Sequence, residues 1–198
     1  MAKPRPVKGL DPDGRLAPNA RRVLTVRIDE VFAYDAAVRD PANVKDLHDL
    51  RIACKRLRYL LEIFGIAFPA DLDPYLDQVK ELQDLLGDIH DCDVQIPMLE
   101  EHLAWLAQRE SGAARRLVAE SAGRVSGRAP TEEEYRAFKH RLEVGRRGGE
   151  RLGVHALIGR RRRERNELYA RFIETWTAMV QRGFRADLED ALGIGSRA

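Results

Sequence analysis

The chain is short of the residues that give most chemistries their signature. It holds two cysteines in 198 residues, too few for a disulfide framework or a cysteine-rich metal knuckle. Cys54 falls on an apolar helical stripe and Cys92 near an expected helix end, so both read as reduced structural thiols. Aromatic residues make up only 7%, which leaves little for the stacking platforms that readers of single-stranded nucleic acid interleave with basic groups. No apolar run approaches the roughly 20 residues that a bilayer helix requires. Residues 1–18 also lack the apolar core of a signal peptide, so no membrane association and a cytoplasmic location are expected. A Gly-rich phosphate loop, a nucleophile elbow and a zinc-ligand cluster are missing too. No enzyme activity, cofactor or metal is expected on these grounds.

Net charge is also small, at +2, so an anion site must come from uneven distribution. The distribution is uneven. Residues 66–104 hold ten Asp or Glu against one Lys, whereas residues 139–165 hold ten Lys or Arg against three Glu. Such separation focuses a field on one face if the fold gathers the basic helices.

What is present is helical periodicity. Four prolines and little apolar content mark residues 1–18 as a disordered N-terminal tail. Residues 19–192 read as one helical domain, and residues 193–198 as a C-terminal tail. A first helix over 19–39 presents Leu24, Ile28, Val31, Phe32 and Val38, with Asp40-Pro41 ending it. A second runs over 43–64, a third over 75–89 with Leu76, Val79, Leu82, Leu86 and Ile89 on one face, and a fourth over 94–120. On that fourth helix Met98, Leu99, Leu103, Trp105 and Leu106 suit bundle packing. An internal break falls near 123–130, after which Thr131 and Glu134 form a capping box. Gly145, Gly148 and Gly149 predict a bend. A long helix over 153–181, with Leu168, Phe172, Trp176 and Met179 as core, and a short one over 184–192 close the chain. No strand pattern is long enough for a sheet, so the fold class is an all-α helical bundle of about six to seven helices.

The segment LHDLRIACKRLRYLLEIFG carries two stripes on one helix. Leu47, Leu50, Cys54, Leu57, Leu61 and Phe64 recur at three or four positions and form the core face. His48, Arg51, Lys55 and Arg58 follow at i, i+3, i+7 and i+10 on an adjacent ridge. Like charges so spaced repel by a few tenths of a kcal/mol per pair, a cost that a bound anion would offset. The alternative is a solvated face whose long stems cover the core edge. Arg56 is rotated toward the far side of the helix.

The pattern H-x-x-R-x-x-x-K-R-x-R-Y on such a helix resembles the CHAD family, the conserved histidine α-helical domain. The likeness continues through YLDQVKELQDLLGDIHDCDV, read as a helix ending in Leu-Gly and followed shortly by an aspartate, and is best over residues 20–110. It implies an all-helical fold of the CHAD type and binding of inorganic polyphosphate through basic residues, by a module with no known catalysis. The acidic ExExK signature of triphosphate tunnel enzymes is absent. The resemblance places His48, Arg51, Lys55 and Arg58 in the site, with Arg56 ranked below them. RNA or DNA remains the competing ligand, and a protein-recruiting scaffold a third reading.

His90 lies ten residues after Lys80, the separation of Arg58 from His48. Lys80, Gln83 and His90 therefore share a ridge, either a second rail on the same groove or a polar helix end. Asp88, Asp91 and Asp93 crowd His90, an arrangement commoner in capping than in a Mg²⁺ or Ca²⁺ site. The string HALIGRRRRER can be laid over HDLRIACKRLR without a gap, matching His155, Arg162 and Arg165 to His48, Lys55 and Arg58, but with Ile158 in place of Arg51. It reads as a degenerate second copy or as a plain arginine-rich surface. CHAD domains typically carry two related halves, and this chain has one clear motif. Pairing of two copies, a homodimer, is the other way to complete a groove.

Overall fold

The computed structural model describes residues 3–124, 131–133, 135–137 and 148–194. The fold is all-α, with no strand among them. The elements are α1 (Leu16–Phe32), a 3₁₀ turn (Ala37–Arg39), α2 (Val44–Phe64), a second 3₁₀ turn (Gly65–Ala67), α3 (Asp73–Arg124), α4 (Gly148–Gln181) and α5 (Phe184–Ala191). They divide into two compact units, residues 1–93 with 165–198, and Val94–Glu164.

The first unit is a helical bundle around one core. α1 contributes Ala20, Leu24, Ile28 and Val31; α2 contributes Leu47, Leu50, Cys54, Leu57 and Leu61; α3 contributes Val79, Leu82, Leu86 and Ile89. Phe172, Trp176 and Met179 of α4 and Leu188 of α5 complete it. These are the positions that a 3.6-residue period assigns to the core. Each large apolar side chain buried this fully stabilises the bundle by about 1.5–3 kcal/mol relative to exposure. Trp176 adds a polar anchor, its Nε1–H donating to Asp35 Oδ1 at 2.8 Å.

Two expected helices differ in extent. α1 begins at Leu16 and ends at Phe32, seven residues short of the predicted end. The chain leaves the helix there so that Asp35 accepts from Trp176 and the Val38 carbonyl accepts from the Tyr169 hydroxyl at 3.0 Å. The helices expected over 75–89 and 94–120 are a single α3 that passes through Pro97. Pro97 removes one ladder N–H. The turn before it is nonetheless fixed, because Cys92 is buried and Asp93 Oδ1 accepts from Arg165 Nε at 2.6 Å.

The segment before α1 has no regular structure, yet it lies against that helix. The Arg5 N–H donates to Glu30 Oε1, and Arg27 donates to the Arg5 carbonyl at 2.7 Å and to Glu30 Oε1 at 2.6 Å. The break expected over 123–130, Glu134 of the capping box, Gly145, His140 and the tail at 195–198 fall outside the described residues, apart from 123 and 124, which are helical.

In the second unit, parts of α3 and α4 run antiparallel. Arg151 meets Glu110 at 3.1 Å and Arg162 meets Glu100 at 2.6 Å. Leu106 and Ile158 are buried. Met98 and Trp105, expected inside, face solvent, and Trp105 is stacked instead between His102 and the Arg109 guanidinium, at 5.5 and 4.6 Å.

Candidate functional site

α2 presents its polar ridge beside α3, and two contacts fix how the helices meet. The rings of His48 and His90 lie 4.6 Å apart, tilted by 40°. One turn along, a Cβ at Gly87 would stand 3.6 Å from Arg51 Nε, so α3 meets the Arg51 side chain through a glycine. Rising numbers on α2 meet falling numbers on α3, so the helices are antiparallel. With equal rise per residue on both, this register brings Lys55 level with Gln83 and Arg58 level with Lys80. The ridge His48, Arg51, Lys55, Arg58 and the ridge His90, Gly87, Gln83, Lys80 thus flank one seam.

Several polar atoms along this seam are buried without a hydrogen-bond partner. They are His48 Nδ1, Arg51 Nε, Arg58 Nε and Gln83 Oε1. Buried polar atoms are normally paired, by protein or by something bound. Four of the eight such atoms among the described residues lie on this one seam. Arg58 approaches Glu62 at 3.5 Å, a loose ion pair, and its guanidinium lies 4.7 Å from the Tyr59 ring centroid. Lys55 Nζ lies 5.7 Å from the same ring, and both Lys55 and Tyr59 are exposed. Arg51 to Arg58 spans roughly 10 Å along the helix, the reach of several consecutive phosphate groups.

The imidazole of His48 is held below its ordinary pKa. Burial is the main cause, then the charges of His90 and Arg51, with Asp49 opposing them. Asp49 is a residue that the periodicity does not flag. It is buried beside the rail and accepts a 2.9 Å hydrogen bond from Lys45. The hydrogen bond to Asp49 and its charge raise the Lys45 pKa. Lys45 is an i,i+4 neighbour on the same helix, whereas the burial of Asp49 is set by the helix packing.

Of the other expected residues, Lys80 lies between the end of the seam and a neighbouring depression, and the rest fall elsewhere. Arg56 lies off the ridge and lines a cavity of about 250 Å³ with Lys3, Arg5, Glu30, Ala33, Tyr34 and Ala53. Lys80 borders an open depression of about 350 Å³ together with Asp77, Glu81, Asp84, Asp88 and Arg171. His155 is exposed and Arg162 is paired with Glu100, both in the second unit. Arg165 is committed to Asp93 and to the Pro41 carbonyl at 2.8 Å, with its side chain 12% exposed. Ile158, the residue aligned with Arg51, is buried. Among the described residues no group of His, Cys, Asp and Glu has the arrangement to hold a metal ion, and no helix is long and apolar enough to cross a membrane.

Neither a curated protein nor a solved structure matches the chain. A family model does match, that of the CHAD domain, over residues 2–100. The matched stretch contains α1, the rail helix α2, and α3 through the His90 turn. With half its length matched and both ridges of the seam inside the match, the chain belongs to the CHAD domain family.

Proposed function

We propose that this protein is a non-catalytic binding module for inorganic polyphosphate, held in the α2–α3 seam. The observation that carries this reading is the line of buried nitrogens on His48, Arg51 and Arg58 that have no hydrogen-bond partner in the protein, Arg58 Nε facing Glu62 only at 3.5 Å. Arg51 and Arg58 engage phosphoryl oxygens through their planar forks, and Lys55 acts as a point charge. His48 and His90 stand at one end of the seam, and Lys80 borders the other. The groove offers hydrogen-bond donors and positive charge to a chain of repeating anions, so affinity should grow with chain length. Two buried free thiols, with burial pushing Cys54 up to about 12, suit a reducing, cytoplasmic setting.

Single-stranded RNA or DNA is the second reading. Tyr59, with cations on either side, is the observation in its favour, since an exposed aromatic beside basic groups can stack a base. Competition at fixed salt between long-chain polyphosphate, short-chain polyphosphate and single-stranded RNA separates the two. Long-chain polyphosphate is expected to win at equal charge. RNA binding of equal or greater strength would overturn the assignment.

A further inference from the structure

We propose that the His48–His90 pair takes up a single proton when a polyphosphate chain enters the seam, so that affinity rises as the medium acidifies. The inference rests on the binding reading above and concerns control of the same site. Ring centroids 4.6 Å apart are too close for two imidazolium ions to coexist cheaply. Within the protein alone even one such charge is opposed. His48 Nδ1 is buried with no acceptor, and Arg51 stands one turn away with its own Nε unpartnered.

The surrounding carboxylates do not relieve this opposition. Asp49, next to His48 on α2, is engaged by Lys45 at 2.9 Å. Asp93, one turn beyond His90 on α3, is engaged by Arg165 of α4 at 2.6 Å. Asp88 and Asp91, which flank His90 in sequence, are exposed to solvent. An anionic chain lying along Arg51 supplies the missing negative charge. The proton then passes from the buffer to an imidazole nitrogen, which donates to a phosphoryl oxygen, and no covalent bond changes. The lowered pKa of His48, caused chiefly by burial, agrees with this order of events.

Calorimetric titration of the full chain with long-chain polyphosphate, in buffers of different ionisation enthalpy, counts the protons directly. Near neutral pH an uptake approaching one is expected, together with affinity rising by up to about tenfold per pH unit as pH falls from about 8 to about 6 at constant ionic strength. Replacing both residues, His48→Asn with His90→Asn, should abolish the uptake, and His102→Asn should leave it intact. Binding with no proton uptake in the unaltered protein overturns the inference, as does uptake that survives the double substitution or vanishes with His102→Asn. The count on the unaltered protein decides even if the double variant misfolds. Absence of binding at every pH overturns the polyphosphate reading as well, whereas binding without uptake leaves that reading standing.

Discussion

HDLRIACKRLR on α2 and HALIGRRRRER on α4 are alike as strings and unlike as surfaces. In the first, Arg51 and Lys55 have no carboxylate partner among the described residues, and Arg58 meets Glu62 only at 3.5 Å. In the second, Arg161, Arg162 and Arg165 are paired with Glu164, Glu100 and Asp93 at 2.7, 2.6 and 2.6 Å. The position of Arg51 in the first string is held by buried Ile158 in the second. A cation already neutralised must give up its partner before it binds an anion, whereas an unsatisfied one gains on binding. Arginine spacing marks a candidate site, and the neighbouring carboxylates decide whether it is available.

The largest effect that sharpens this contrast is on stability. Arg165→Ala leaves Asp93 charged, with its side chain 9% exposed. Breaking such a buried pair costs about 3–5 kcal/mol, so urea unfolding should show a large loss. Leu57→Ala, a truncation in the core next to the rail, should cost roughly 2–5 kcal/mol in the same measurement. If Arg165→Ala instead leaves the unfolding midpoint in place and weakens polyphosphate binding, the second string is a ligand surface and the contrast fails.

Binding should discriminate the strings in the opposite sense. Arg51→Ala and Lys55→Ala should each raise the polyphosphate Kd by about tenfold or more, the weight of a charge-assisted hydrogen bond. Neither should move the unfolding midpoint by more than about 0.5 kcal/mol. Arg162→Ala, already paired at the surface, should change Kd less than about threefold, since exposed ion pairs are worth at most about 1 kcal/mol. Equal losses from Arg51→Ala and Arg162→Ala, read by the same titration, would mean that both strings bind.

A smaller effect concerns Tyr59, which braces the free string and has no counterpart in the paired one. Tyr59→Ala should weaken polyphosphate binding by roughly twofold to fivefold, the range of an exposed cation–π contact of about 0.5–1 kcal/mol. Tyr59→Phe should preserve it. A larger loss for single-stranded RNA than for polyphosphate would point to base stacking.

The smallest effect is on pH-dependent stability without ligand. Because the folded protein holds His48 below its ordinary pKa, the unfolded chain binds more protons there. Stability is then complete above the unfolded value of about 6.5 and declines as pH falls toward the folded value. Thermal midpoints of the unaltered protein should drop across that window more than those of His48→Asn. Equal slopes would show that His48 takes no part. The liganded protein should respond in the opposite direction, gaining affinity over the same range.

Much of the bundle is legible in the residues. The core positions of α2, α3 and the end of α4 follow from period alone, as does the separation of Arg56 from the ridge of Arg51, Lys55 and Arg58. The extents of α1 and α3 were not legible. Asp40-Pro41 and the Leu-Gly step read as helix ends, but the chain leaves α1 earlier, where Asp35 and the Val38 carbonyl meet Trp176 and Tyr169, and α3 continues through Pro97. Met98 and Trp105 fit a core stripe by spacing and nevertheless face solvent. Spacing gives the face a residue shares with its neighbours and does not give what covers that face.

Residues within one or two turns of each other suffice to mark the helical segments, the apolar face of α1, α2 and the first part of α3, and the cationic rail on α2. Only the tertiary structure decided that His48 meets His90, that Asp49 is buried beside the rail, and that Arg165 is bound to a carboxylate 72 residues away. A charge is available for a ligand only if no partner has been brought to it, and partners arrive by packing between distant segments.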